Sequence, residues 1–202
     1  MLDKHLVPHL RAPLARVAGT LHQRGISADT VSVAGFVCGL LAVLLVALGA
    51  TLAALVLLLL GRLADGLDGE IARINGSTDA GAFLDIVLDF IFYALFPIGF
   101  AVYDPASNAL PAAVLIASFV GTGASFLAFA GQADRLGVSR VQFEYKGLTY
   151  LDGLAEGTET IAAFCLMCLF PSAFALIAWI FAAVCWVTTV NRVVSGYRTL
   201  KR

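Results

Sequence analysis

Charge is what this sequence has least of. Of its 202 residues only 13% are Asp, Glu, Lys or Arg, against 60% hydrophobic, and mean hydropathy is +0.90. A disordered chain needs the opposite balance, and soluble domains are nearer about 45–50% apolar. An excess of positive charge is also missing. Thirteen basic and 14 acidic residues leave −1, which excludes the basic field that holds nucleic acid. Cysteine is sparse, and Cys38, Cys165, Cys168 and Cys185 all lie in apolar runs, so a disulfide-stapled secreted module is excluded. Cys165 and Cys168 have half a zinc spacing but neither a second pair nor a nearby His, and they read as small buried apolar residues. What the sequence does have is long apolar runs. The chain reads as one all-α integral membrane domain, residues 1–202.

A membrane helix needs about 20 mostly apolar residues to cross roughly 30 Å of hydrocarbon. Val31–Ala50 supplies one span without a charge. Thr51–Gly61 opens a second that runs into charged residues and continues to about Ile74. Further spans are expected over Ala82–Tyr103, Ala109–Gly131, Thr158–Phe170 and Ser172–Val190, the last two separated by Pro171. With six spans, all 13 Lys and Arg fall in the N-terminus, 62–81, 132–157, the C-terminus or the adjoining helix ends. The opposite loops near 49–51, 104–108 and 171–172 contain none. That asymmetry predicts both termini in the cytoplasm, and five or seven spans would destroy it.

Met1–Thr30 carries Lys4, three arginines and three histidines before the first apolar run, so no signal peptide is expected. Leu2, Leu6, Leu10, Leu14, Val17 and Leu21 recur at helical spacing opposite Lys4, Arg11 and Arg16. Residues 1–26 therefore predict an amphipathic helix, either on the cytoplasmic leaflet or packed on the protein itself, ahead of a six-helix bundle over 27–202.

The segment from Asp65 to Asp89 is too polar for lipid. Ionisable groups in membrane helices are costly and usually line a functional cavity. Asp65 and Asp68 are i, i+3, and Asp85 and Asp89 are i, i+4, so each pair shares a helix face. The short polar connection from Asn75 to Ala80 predicts antiparallel neighbouring helices, with both carboxylate pairs converging at the cytoplasmic end. Four such groups cannot all stay ionised without cations. Hard divalent ions with oxygen ligands meet that need, and Mg²⁺ leaves room for substrate phosphate. Gly66, Gly69 and Gly81 would let a ligand approach closely, and Arg73 offers a fork suited to phosphate. The alternative is that the acids pair with Arg62 and Arg73 at an interfacial helix end.

Asp65-x2-Asp68-Gly69-x2-Ala72-Arg73, then seven residues, then Gly81-x3-Asp85-x3-Asp89 resembles the signature of the CDP-alcohol phosphotransferase family at all eight of its fixed positions. The motif spans 25 residues, and length, span count and cytoplasmic placement extend the likeness over most of the chain. The resemblance implies transfer of a phosphatidyl group from CDP-diacylglycerol to a second alcohol, with release of CMP. It implies two Mg²⁺ or Mn²⁺ ions on Asp65, Asp68, Asp85 and Asp89, with Asp89 also the base that takes the acceptor's hydroxyl proton. Asp68, Gly69, Ala72, Arg73 and Gly81 would hold the CDP part. A weaker match over Ser27–Ser32 adds Ser32 near the nucleotide, where an N-cap by Ser27 or Asp29 is the alternative. The family also implies a homodimer in the inner membrane of a bacterial cell. Small residues Ala109, Ala113, Ala117 and Gly121 would permit close helix packing, between chains or within one.

The acceptor alcohol is expected beside Asp89, with contacts from Arg135, Arg140, Lys146, Glu156, Glu159 and Arg192. Arg135 and Arg140 suit a phosphorylated polyol such as glycerol 3-phosphate or an inositol phosphate, unless they express only the excess of cytoplasmic positive charge. Glu156 and Glu159 suit an amine or a neutral polyol. Lys146-Gly147-Leu148-Thr149 does not reproduce the G-K-x-K-T stretch of phosphatidylglycerophosphate-forming members. A rival of another class is a cation transporter. Against it, the acids sit at one membrane face and no inverted repeat is visible.

Overall fold

The computed structural model describes residues 3–135 and 154–201. These residues fold into seven α-helices: α1 Asp3–Gln23, α2 Ala28–Ala47, α3 Thr51–Asn75, α4 Asp79–Tyr103, α5 Pro105–Arg135, α6 Gly157–Leu169 and α7 Phe174–Leu200, with a single 3₁₀ turn at Pro171–Ala173. Each of the six expected spans is one of the helices α2 to α7. Four have the length and apolar content to cross a bilayer: α2, α4, α5 and the segment Pro171–Leu200. The apolar half of α3 gives way to the charged motif, and α6 has 13 residues.

Local chemistry sets the helix ends. The Ser27 hydroxyl accepts the Thr30 amide at 3.2 Å, and the Thr78 hydroxyl accepts the Gly81 amide at 3.0 Å, so both helices that carry site residues from their first turns are capped. Between α2 and α3 the chain reverses at Gly49, φ +79°, with the Ala50 amide donating back to the Leu45 carbonyl at 2.8 Å. That left-handed turn closes the helix end at a residue without a Cβ. The Thr188 hydroxyl accepts the amides of Leu154 and Ala155, both at 3.1 Å, and so pins the entry to α6 onto α7.

Helix α2 packs against both α3 and α4, α4 against α5, and α5 against α7, while α6 lies on α3. Antiparallel direct neighbours were expected for α3 and α4, and this needs correcting in part. Their opposed directions are evident, because Arg62 reaches Asp89 while the earlier-placed Asp85 meets Asp65 and Asp68. They do not pack along their lengths, however. Helix α2 bridges them, and side chains rather than backbones bring their motif ends together. Glycine permits that bridging role. A Cβ on Gly35 would stand 2.9 Å from the Ala64 Cβ, and one on Gly99 would stand 2.8 Å from the Val43 carbonyl oxygen.

Beneath the motif lies an aromatic core. Phe96 stacks on Phe164 with centroids 4.3 Å apart, Phe100 stacks on Phe174 at 4.4 Å, and all four are fully buried. The outer surface is equally apolar: Leu48, Leu52, Leu110 and Leu176 are 63–71% exposed. A protein greasy both inside and outside has lipid, not water, as its solvent. Helix α1 packs on α3, with Ala18 fully buried and a Leu14 methyl where a Cβ on Gly66 would reach it at 3.1 Å. The packed alternative for this amphipathic helix is therefore present. The four cysteines are free; Cys168 is buried as expected and Cys185 with it, whereas Cys165 is only partly buried.

Candidate active site

Three elements build the site. Helix α3 contributes Arg62, Asp65 and Asp68 from one face, α4 contributes Asp85 and Asp89 from its first turns, and α2 contributes Ser32 and Gly35. Oxygen atoms of Asp65, Asp68 and Asp85 all lie within 4.8 Å of one another. The Ser32 hydroxyl donates to Asp68 Oδ2 at 2.5 Å and orients that buried carboxylate across the α2–α3 interface. Ser27 caps α2, as one reading of that stretch has it, and Ser32 faces the cluster.

Asp89 stands apart from these three. Its Oδ1 accepts Arg62 NH1 at 2.8 Å, and Oδ2 accepts the Tyr93 hydroxyl at 3.4 Å. Arg62 also lies 3.6 Å from Asp65. The alternative of acid–arginine pairing is thus realised for Arg62. Arg73 instead pairs with Glu70, one turn before it, and keeps half of its side chain exposed. Gly69 has nothing within 4 Å of where a Cβ would be. Gly81 approaches Asp29, whose Oδ1 would lie 3.1 Å from such a Cβ. Ala72 is half-buried on the same helix as the cluster.

The donor set fits a hard divalent cation. Three convergent carboxylates offer only oxygen, no thiol or imidazole competes, and the cluster is the one group of this kind among the described residues.

A second cavity of about 350 Å³ opens on the other side of Asp89. It is lined by Asp89, Tyr93, Thr122, Glu156, Thr160 and Arg192 together with apolar residues such as Phe90 and Phe126. Arg192 donates to the Thr122 carbonyl at 3.3 Å, with its guanidinium 5.6 Å from the Phe126 ring centroid. Of the six expected acceptor contacts, Glu156 and Arg192 line this cavity. Glu159, on the first turn of α6, and Arg135, exposed at the end of α5, are not among its lining residues. Arg140 and Lys146 lie outside the described residues. The polar run from Glu156 to Thr160 is too polar to face lipid, and Glu156, Gly157 and Thr160 of it do line the cavity; sequence reasoning missed Tyr93 as a cavity residue and treated Arg62 only as a neutralising partner. The one available signal was that Arg62 is i−3 to Asp65 and Tyr93 is i+4 to Asp89, on the faces already identified.

Fold and site together define a helical membrane protein with a carboxylate cluster suited to a divalent ion at one end of its bundle. A sequence profile of the CDP-alcohol phosphatidyltransferase family matches residues 26–191. The chain is 52% identical over 201 residues to "Inner membrane protein YnjF" of Escherichia coli K12, covering 100% of this chain and 98% of that one. It is 29% identical over 203 residues to the archaetidylinositol phosphate synthase of Pyrococcus horikoshii, covering 100% and 99%. Its fold is similar to that of Mycobacterium tuberculosis phosphatidylinositol phosphate synthase. The TM-score is 0.67 to the form with CDP-DAG bound, at 21% identity over 91% of this chain and 93% of that one. It is 0.66 to the form with manganese and citrate, at 22% identity over 91% and 88%. The chain belongs to the CDP-alcohol phosphatidyltransferase family. It is a phospholipid-synthesising transferase that carries out CDP-alcohol phosphatidyl transfer, which sets aside the transporter alternative.

Proposed function

We propose that this enzyme moves a phosphatidyl group from CDP-diacylglycerol to a small polar alcohol, favouring a phosphorylated polyol, and releases CMP. The observation that carries this reading is the position of Asp89, which lines both the carboxylate cleft and the larger cavity. A base must touch the proton it takes, and here one carboxylate lies between a donor side and an acceptor side.

In this reading Asp65, Asp68 and Asp85, with Asp89 completing the set, hold two divalent ions, Mg²⁺ or Mn²⁺. Bound there, the ions would neutralise the donor's pyrophosphate and make CMP a good leaving group. Asp68, Gly69, Ala72, Arg73, Gly81 and Ser32 hold the CDP part, with the open surface at Gly69 admitting it. The acceptor enters the 350 Å³ cavity, and Asp89 takes its hydroxyl proton. The acceptor oxygen then bonds to the phosphorus carrying diacylglycerol as that phosphorus loses its bridging oxygen to CMP. Arg192 faces the acceptor's phosphate. The names of the two inositol phosphate synthases among the relatives support this acceptor class. A second reading has its own observation. Glu156 lines the same cavity, and a carboxylate there suits an amino alcohol or serine.

All six helices α2 to α7 cross the membrane in this proposal, as one domain over 1–202, with both termini and the site in the cytoplasm. The name of the E. coli relative supports the inner membrane. The protein acts as a homodimer.

The test is CMP release from CDP-diacylglycerol by purified protein in detergent with Mg²⁺ or Mn²⁺. The panel is glycerol 3-phosphate, inositol, inositol 1-phosphate, serine, ethanolamine and choline. Release is expected with a phosphorylated polyol, abolished by a chelator and restored by either ion. Release with serine or ethanolamine alone would establish the second reading. Thermal stabilisation by another CDP-alcohol, with none by CDP-diacylglycerol, would overturn the donor assignment.

A further inference from the structure

We propose that Arg62 is a built-in counter-cation that holds Asp89 back from the other three aspartates, so that divalent ions enter the site in a fixed order. The first binds at Asp65, Asp68 and Asp85. The second engages Asp89 only when the guanidinium lets go. The inference rests on the metal-assisted transfer proposed above and adds to it the residue that sets the order of loading.

Geometry carries the argument. Both oxygens of Asp89 are engaged, Oδ1 by Arg62 at 2.8 Å and Oδ2 by Tyr93 at 3.4 Å, whereas oxygens of the other three aspartates converge within 4.8 Å. An ion that uses Asp89 must displace a charge-assisted hydrogen bond, among the stronger polar contacts a protein makes. Among the described residues, no ion pair joins a cation to Asp68 or Asp85, and Arg62 stands 3.6 Å from Asp65.

Arg62 is also no free surface side chain that happens to fold over. Its guanidinium carbon lies 5.2 Å from the Phe92 ring centroid and 6.0 Å from that of Tyr93, so two aromatic faces hold the cation from behind. The side chain is only 19% exposed. Its Nε is buried without a hydrogen-bond partner among the described residues, which leaves Asp89 and Asp65 as the groups that stabilise the charge. The fold therefore places the guanidinium, and Asp89 follows it.

Space agrees with charge. With Arg62 in place the cleft enclosed by the four aspartates, Ser32 and Gly35 has about 10 Å³, which is room for a single water-sized occupant. A second ion requires the guanidinium to move. Arg62 is thus a positioning residue that acts through Asp89.

The test is Mn²⁺ binding to the full-length protein in detergent without lipid substrate, followed by electron paramagnetic resonance of free Mn²⁺ and by calorimetry. The wild type should bind one ion tightly and a second at least about tenfold more weakly, the factor that loss of one charged hydrogen bond implies. Arg62→Gln should tighten the second step by about tenfold while moving the first by less than about threefold. Arg62→Lys, which keeps a cation in place, should stay near the wild type. Asp89→Asn should lose the weak step and keep the tight one. Two equal steps in the wild type, or an Arg62→Gln isotherm superimposable on it, would overturn the role of Arg62 and leave the metal site standing. No Mn²⁺ binding by wild type would overturn the metal reading itself. If Arg62→Gln does not fold, Asp89→Asn decides: retention of both steps there refutes the ordering.

Discussion

Asp89 lines two spaces, and in the proposed function they make opposite demands on it, one for cations and the other for a proton acceptor. Replacing it separates the two. Asp89→Asn keeps the size and one acceptor oxygen for Arg62, so binding of CDP-diacylglycerol should persist while CMP release falls by at least about 100-fold, the usual loss for a removed general base. Arg73→Ala should do the reverse and weaken donor binding about tenfold, the loss expected for a charged hydrogen bond to phosphate. Titration of donor binding alongside turnover distinguishes the two, and wild-type behaviour of both variants would refute the site assignment. Gly69 gives a sharper test, because nothing in the protein lies within 4 Å of a Cβ there. Gly69→Ala should raise the melting temperature slightly, because alanine favours an exposed helix interior over glycine, yet weaken donor binding, since in the proposed reading a bound ligand is what the methyl would meet. A variant with unaltered affinity would remove Gly69 from the donor site.

Among the elements, α2 matters most, although its own sequence is nearly featureless grease. It packs on both motif helices and so sets the distance between Asp68 and Asp85. That distance rests on backbone approach at Gly35 against Gly61 and Ala64, and at Gly99 against Val43. In lipid, where apolar side chains gain little from leaving the solvent, such close packing is a main source of helix association. Gly35→Leu should cost about 1–3 kcal/mol by overpacking, read as a fall of roughly 3–10 °C in the detergent melting temperature. It should also reduce metal affinity, because α3 is pushed away from α4. Loss of stability with intact Mn²⁺ affinity would show that α2 does not set the carboxylate spacing.

At the scale of the whole molecule, the proposed homodimer meets a specific surface. Of the small residues singled out for close packing, Ala109, Ala113 and Ala117 point outward. Gly121 packs inside the chain, where a Cβ would stand 3.0 Å from Trp186 of α7. The outward alanines leave one face of α5 narrow enough for a second helix to approach. Detergent-corrected light scattering should give twice the 21.2 kDa chain mass, and Ala113→Trp should shift it towards the monomer. A monomer mass for the wild type would refute the dimer.

The sequence by itself determined the membrane class, the helices α2 to α7, the family and the three aspartates that converge. Those features depend on local periodicity, on runs of apolar residues and on carboxylates three or four apart on one helix face, all of which are properties of neighbouring residues. Tertiary structure decided what neighbours cannot. That α2 bridges α3 and α4 depends on where glycines let backbones meet. That Arg62 turns to Asp89 depends on which helix stands opposite its guanidinium, whereas Arg73 finds Glu70 one turn away on its own helix. The cavity beside Asp89 draws residues from α4, α5, α6 and α7, segments separated by up to a hundred residues of chain. No spacing rule joins such residues, because their proximity comes from packing and not from the repeat of any one helix.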